Sequence, residues 1–346
     1  MVRRSEVRAP TLQVVLPGHL GDTVLALPAL RLLRNALPDW ALQPVGGPAV
    51  ASDLLVDQGC GLPVRSRLRR DESGVAVLLA PSLRVAWQAA ASRLPTRIGL
   101  PSDHRRLLLT DPVPGPLEAL PGRRLRLLGP GEHQRDSYLR VARHATRVLG
   151  VAAQGVPDAS FRLSPVRAAT VLALWRSAGE PEVLLHPWAE GLDTKRWTTA
   201  NWVSLGRRLQ AGGLRIAVTR GPSAPDGRCA ESVVAGLGGA PPLGPYLWGP
   251  SAWAGVAQRA RCVVLPDTGL AHLASAVGSW PIVLFGPTDP GRHGPGHGST
   301  LEGGSDLTCW PCYQPRCSHG FSPSCTVSIS VEQVAERVEL AVRGVA

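Results

Sequence analysis

The stretch Leu12-Gln13-Val14-Val15-Leu16-Pro17-Gly18-His19-Leu20-Gly21-Asp22 decides the class of fold. A short apolar run stops at Pro17-Gly18, and over residues 22–37 the apolar side chains return at helical spacing. Strand, glycine loop and helix in that order are the repeating unit of parallel α/β sheets. Outward from this unit, residues 42–45, 75–79 and 106–110 read as strands, and residues 48–56, 82–91 and 136–149 as helices. Beyond residue 150 the pattern weakens at Gly155, Pro157, Pro165 and Gly179, with helical spacing only over residues 167–176. A second series then begins, with strands at 183–185, 215–218, 262–265 and 281–285 and helices at 199–210, 226–237, 251–260 and 268–277. The expected organisation is a first domain over residues 1–160, a connection at 161–181, a second domain at 182–330 and a closing packing helix at 331–346. Two such halves predict a cleft between them, and open parallel sheets bind ligands beyond the carboxyl ends of their strands.

Composition narrows the function. The 346 residues, 44% hydrophobic and 18% charged, with 38 Gly and 33 Pro, suit a two-domain globular protein rich in short loops. A net charge of +11 points to an anionic partner without naming it. No apolar run reaches the roughly 18 residues of a membrane helix, and the start of the chain has no leader-like core, so neither a span nor a signal peptide is expected. Of the seven cysteines, Cys60, Cys229 and Cys262 are scattered, unlike a secreted disulfide framework, and the expected setting is the cytoplasm.

All but one of the 37 lysines and arginines are arginine, and the exception, Lys195, stands in Asp193-Thr194-Lys195-Arg196-Trp197 after a buried strand. An ammonium on a flexible stem is a point charge suited to the phosphate end of a ligand. In the opening motif, Gly21 permits a tight turn and Asp22 occupies the first turn of a helix. A carboxylate there can take the proton of a substrate hydroxyl, or can be an ordinary cap. His19, three residues earlier, is the other candidate base or a substrate contact. A second strand-to-helix junction, Val264-Leu265-Pro266-Asp267-Thr268-Gly269-Leu270-Ala271-His272, presents free amides and a positive dipole end, a ready anion site. His272 lies one turn into that helix on the face of Thr268. A third, Phe285-Gly286-Pro287-Thr288-Asp289-Pro290, leads into a Gly-, Pro- and His-rich loop through His297, read either as a cover over the ligand or as a plain long loop.

In order and spacing, these residues resemble glycosyltransferase family 9, the ADP-heptose heptosyltransferases and their relatives. The family shows Gly-Asp-x-(Val/Leu)-x-x-x-Pro-Ala-Leu (here Gly21 to Leu30), Lys-Arg-Trp (Lys195 to Trp197), Asp-(Thr/Ser)-Gly-x-x-His (Asp267 to His272) and Gly-Pro-Thr-(Asp/Ser)-Pro (Gly286 to Pro290). The resemblance implies a GT-B fold of two Rossmann-like domains with parallel sheets facing a central cleft, the acceptor on the N-terminal side and the nucleotide-sugar donor on the C-terminal side. It also implies inversion without metal or cofactor. Asp22 would be the general base; Lys195 would neutralise the departing diphosphate, with Thr268 and Gly269 supplying backbone donors. Asp267 and His272 would contact donor sugar or phosphate, and His19, Gly21, Gly286 and Thr288 would stand close to substrate. Two positions depart from the family, Trp188 after His186-Pro187 and Arg220 before Gly221-Pro222, where glycine is common, and both bear on the donor pocket.

Cys309, Cys312, Cys317 and Cys325 lack the second close pair of a usual zinc site and read as a structural loop rather than a metal centre. Two other readings compete with transfer of a sugar, plausibly heptose from ADP-heptose, to a saccharide or small-molecule hydroxyl. One is a nucleic-acid-binding protein using Arg65-Ser66-Arg67-Leu68-Arg69-Arg70 and Arg123-Arg124-Leu125-Arg126, disfavoured by only 3 Tyr and 3 Phe for stacking. The other is a nucleotide-sugar-binding protein without turnover. The same arginines, with Leu68 or Leu125, read as a solvated basic surface ahead of the alternative, peripheral contact with the inner face of an anionic membrane.

Overall fold

Each half of the computed structural model is built on one five-stranded parallel sheet. The structure describes residues 9–70, 74–102, 104–115, 118–119, 126–128, 132–153, 155, 157–239, 249–318 and 324–344. Residues 123–125 of the second arginine run, and residues 1–8, lie outside them. The chain divides into two units, Met1–Ala159 and Ser160–Ala346.

The first unit contains β1 (Thr11–Leu16), α1 (Leu20–Leu25), α2 (Leu27–Ala36), β2 (Ala41–Gly46), α3 (Ala51–Leu55), β3 (Val75–Leu78), α4 (Leu83–Ala91), β4 (Thr96–Gly99), β5 (Asp111–Pro112), a small pair β6 (Glu118–Ala119) and β7 (Arg126–Leu128), and α5 (Gln134–Val148). The main sheet runs β2-β1-β3-β4-β5. The single helix expected over residues 22–37 is two: Pro28 has no N–H to give to the preceding turn, and Ala26 (φ −82°, ψ −11°) closes α1 and opens α2. On one sheet face, Val15, Val45, Ala76 and Leu78 meet Ala86 and Ala89 of α4. On the same face Gln13 and Gln43 fasten the chain after α3, since the Gln13 amide pairs with both backbone groups of Arg69 and Gln43 Nε2 donates to Pro63 O.

The strand expected at 106–110 is absent. Residues Arg105–Leu108 form a 3-10 turn because the buried Arg105 guanidinium donates to Leu100 O (2.7 Å) and Ala80 O (2.6 Å), pulling the chain into a coil. The extended segments on either side of it, β4 and β5, were too short and too polar to show as sequence patterns.

The second unit contains α6 (Pro165–Ser177), β8 (Val183–Leu185), a 3-10 turn (Asp193–Lys195), α7 (Thr199–Ala211), β9 (Ile216–Val218), α8 (Ala224–Leu237), α9 (Gly249–Arg259), β10 (Cys262–Pro266), α10 (Gly269–Ala276), β11 (Trp280–Phe285), α11 (Pro290–His293), β12 (Ser299–Glu302), α12 (Ser324–Val327) and α13 (Val331–Arg343). Its sheet runs β12-β11-β10-β8-β9. Residues 161–181 group with this unit, and α6 packs on α9, where Gly255 leaves room for Val171. The core joins Val183, Leu185, Val264, Ile282 and Leu284 to Trp202, Leu205 and Val233 of α7 and α8 and to Val334 and Val338 of α13. The reciprocal capping box of Ser330 and Gln333 starts α13.

In chain order, both sheets have the strand sequence 2-1-3-4-5. Connections leave the first strand in one direction and the third in the other, so a crevice opens at the carboxyl ends of those two strands. In the first unit that point is the end of β1; in the second it is the ends of β8 and β10.

Candidate active site

The motifs fall at these switch points. In the first unit, β1 ends at Leu16 and α1 begins at Leu20, with His19 as its N-cap residue in an extended conformation. Asp22, in the first turn, is 31% exposed, and its carboxylate lies 3.4 Å from Nδ1 of the exposed His19. From α5 the buried Tyr138 hydroxyl hydrogen-bonds Asp22, while Gln134 Nε2 donates to Tyr138 (2.8 Å). Burial first, and then the Asp22 charge, push the Tyr138 phenol well above its ordinary value of 10.0, so it stays a proton donor to the carboxylate. Asp22 is thus flanked by an exposed imidazole and a buried phenol that fixes its orientation.

The second unit places Lys195 just after β8 and Asp267 just after β10, and joins them: Lys195 Nζ lies 2.6 Å from Asp267 Oδ2. Thr288, beyond β11, donates to the same oxygen at 2.7 Å. The backbone of Asp267 is held by its N–H to Leu284 O. Burial alone would raise the Asp267 carboxyl, but Lys195, the nearby His293 and the hydrogen bonds from Lys195 and Thr288 outweigh it and hold the group below its ordinary 3.8. It therefore stays ionised and aims the ammonium.

Thr268 is the N-cap residue of α10 and Gly269 its first residue, so the helix N-terminus follows directly on Asp267, the partner of Lys195. His272 is buried one turn further in. Gly286 is demanded by space: a Cβ there would collide with the Thr326 hydroxyl and press on Thr194 O. That carbonyl accepts from Thr326, and Thr194 Oγ1 donates to Gln314 O (2.6 Å), which fixes the turn carrying Lys195. The cysteine loop also supports the third motif, since Trp310 Nε1 donates to Gly286 O (2.8 Å) and Tyr313 N–H to Pro287 O. Among the described residues the cysteines are free thiols, and no group of three or more His, Cys, Asp or Glu is placed to hold a metal ion.

The structure thus brings together Lys195, Asp267, Thr268, Gly269, Gly286 and Thr288 in one unit, and His19, Gly21 and Asp22 in the other. The loop through His297 is anchored, with its ring on Ser275 and Ser279 O, and it delivers the chain into the unexpected strand β12.

Several participants carried no sequence signal. Tyr138, Trp310, Tyr313 and Thr326 act through contacts distant in sequence, and Gln134 acts through Tyr138, one turn along α5. So does a buried pair at the ends of β8 and β9, where His186 Nε2 lies 3.9 Å from Asp226 Oδ2 and His186 Nδ1 lies 3.1 Å from Thr219 Oγ1. Burial lowers His186 to about 4 and raises Asp226 to about 6. Asp226 fits only because Gly221 lacks a Cβ, which makes that glycine a packing requirement. Close by, Trp188 is covered by the Arg196 guanidinium, 3.5 Å from its ring centroid, while Arg196 also pairs with Asp193 at 2.6 Å.

Two doubly wound units of this order, with a lysine and a helix N-terminus at the switch point of the second, define an open parallel α/β architecture. Residues 62–321 match glycosyltransferase family 9 (heptosyltransferase), and the chain belongs to that family. It is similar to lipopolysaccharide heptosyltransferase 1 of Pseudomonas aeruginosa, 38% identical over 126 residues, which are 36% of this chain and 35% of that protein. The chain thus spans about a third of the length of that curated relative. In fold it resembles E. coli ADP-heptose lipopolysaccharide heptosyltransferase II, with a TM-score of 0.72 and 16% identity over 96% of this chain and 99% of that one. It also resembles E. coli heptosyltransferase WaaC solved with ADP, with a TM-score of 0.69 and 16% identity over 96% and 99% of the two chains. The GT-B fold of two Rossmann-like domains is therefore shared along nearly the whole chain.

Proposed function

We propose that the protein is an inverting, metal-independent glycosyltransferase that moves heptose from ADP-heptose to a hydroxyl of a saccharide acceptor. The observation that carries this reading is Lys195, held by Asp267, whose carboxylate also accepts from Thr288, next to the N-terminus of α10 in sequence. A departing diphosphate develops negative charge, and an ammonium and amides already in place stabilise it without reorganising. Asp267 and His272 serve the donor, Asp267 also by fixing the ammonium. In the first unit, Asp22 takes the proton of the acceptor hydroxyl as the new glycosidic bond forms, and attack opposite the leaving diphosphate inverts the anomeric centre. The relative from P. aeruginosa is named for heptosyl transfer to lipopolysaccharide, and the WaaC structure holds ADP, which supports the choice of donor. The setting proposed is the cytoplasm, in peripheral contact with the inner face of the membrane.

The test is a thermal-shift panel of ADP, GDP, UDP and ADP-heptose with chelator present, on wild type and Lys195→Ala, followed by turnover with Asp22→Ala. Expected are selective stabilisation by the adenine compounds that Lys195→Ala abolishes, and a loss of turnover of about 100-fold or more in Asp22→Ala with donor binding kept. Wild-type turnover in Asp22→Ala would refute the base. Donor binding without turnover in any acceptor screen would favour a nucleotide-sugar-binding protein, and no nucleotide binding would favour the nucleic-acid reading, tested by salt titration.

A further inference from the structure

The pair on which the donor reading stands carries little net charge. Lys195 faces Asp267 at 2.6 Å, so much of what the ammonium offers a diphosphate is already met by a carboxylate. The third motif brings two more fixed charges close by, Asp289 and Arg292, and these also cancel. Tyr313, whose phenol feels Asp289, Arg292 and Asp267, is itself neutral, since burial pushes it up to about 12. A diphosphate carries several negative charges and is drawn by a positive site, not by a balanced one. The N-terminus of α10 supplies the equivalent of only about half a charge.

His293 is the group placed to supply another. It closes α11, a single turn fixed at both ends: Asp289 Oδ1 accepts from the Gly291 N–H at 2.8 Å, and the His293 N–H donates back to Asp289 O at 3.0 Å. Gly294 then turns the chain away, where a Cβ would strike Pro290 O. The imidazole meets the ring of Tyr313 edge-on, with centroids 5.7 Å apart. Tyr313 is held in its turn, because its N–H donates to Pro287 O and its hydroxyl accepts from the Asp289 N–H. The ring of His293 thus rests between the third motif and the cysteine loop. It is near enough to Asp267 for its charge to be felt there, second to that of Lys195. Arg292 beside it is buried, whereas His293 is only half-buried and open to a ligand.

We propose that His293 is a further donor-binding residue, whose imidazolium joins Lys195 in receiving the diphosphate, so that the nucleotide binds together with a proton. This role rests on the donor reading of Lys195 given above and adds to it a charge that depends on pH. Histidine changes charge between about pH 5 and pH 8, whereas carboxylates, ammonium and guanidinium groups ordinarily keep theirs over that range. With Asp267, Asp289, Lys195 and Arg292 in balance and Tyr313 neutral, the imidazole sets whether this corner is neutral or positive. A bound anion favours the protonated ring, so affinity is greatest where the ring is protonated in the complex and falls as pH rises through that value.

The experiment is calorimetric titration of the full chain with ADP from about pH 6 to about pH 8, in two buffers of different ionisation enthalpy, for wild type, His293→Gln and His293→Lys. The terminal phosphate of ADP titrates near about 6, and both it and His272 are common to the three proteins, so differences between the profiles report on position 293. At the lower pH, wild type should bind about tenfold more tightly than His293→Gln and take up more protons, and the two should converge at the upper pH. His293→Lys restores a charge that does not titrate there and should bind tightly at both ends, which a merely structural ring would not allow. Equal affinity and equal proton uptake in wild type and His293→Gln would overturn the inference and leave the donor reading standing. So would a loss in His293→Gln that is the same at every pH and is not recovered in His293→Lys. No binding of ADP by wild type at any pH would remove the donor reading and this inference with it.

Discussion

Replacing Lys195 by Met removes the ammonium, keeps most of the stem, and leaves the Asp267 carboxylate buried with Thr288 as its remaining strong donor. Breaking a buried pair from one side costs about 3–5 kcal/mol, because the surviving charge stays desolvated. Lys195 retains 17% of its side-chain exposure and water can reach the gap, so the lower end, about 3 kcal/mol near neutral pH, is expected. The dependence on pH is the sharper test. In the wild type the Asp267 carboxyl lies below 3.8, so its contribution is complete above that value and is lost only as pH falls through the folded value. Without Lys195, burial prevails and the carboxyl rises above 3.8; the folded state then holds the proton more tightly than the unfolded chain, and stability falls as pH rises. The gap between wild type and variant should therefore widen as pH rises above 3.8, measured by urea unfolding across a pH series. Adding Asp267→Asn should recover most of the loss while ADP binding stays absent. A variant as stable as wild type at the upper pH, or a gap that does not move with pH, would refute the account of this pair.

Two further outcomes are expected. Burial lifts Asp226 from 3.8 to about 6, so its ionised form opposes folding and wild-type stability drops as pH rises through that window; Asp226→Asn should gain on wild type over the same range, by at most about 3 kcal/mol, read from the difference between their unfolding profiles. Tyr138→Phe removes the hydroxyl that orients Asp22, and should lower kcat about tenfold with little change in KM for either substrate; equal kcat in steady-state assays would exclude that positioning role.

The legible parts of the chain were those where burial imposes a simple pattern. β3, β10 and β11 are continuous apolar runs, and β1 nearly so apart from Gln13, because helices cover both faces of a parallel sheet, and the strand-to-helix junctions carrying Asp22 and Asp267 follow directly from them. Segments held by individual side chains were not legible. Leu107, Leu108 and Leu109 read as strand, yet the Arg105 guanidinium coils the chain there, and nothing local announces that an arginine will be fully buried. At the site, Lys195, Asp267 and Thr288 were visible as separate motifs, but not that one carboxylate oxygen joins them. Tyr138 was invisible because its partner lies more than a hundred residues away, and the cysteine loop, read as structural, gave no sign that Trp310 and Tyr313 steady Gly286 and Pro287.

The shared strand order has a consequence for how the protein comes apart. One hydrophobic cluster draws its residues from 15 to 109 and the other from 183 to 342, so each sheet is sealed by helices of its own unit. Among the described residues, a lesion in α4 is therefore felt first in the cluster around β1 and β3, and one in α7, α8 or α13 in the cluster around β8 and β10.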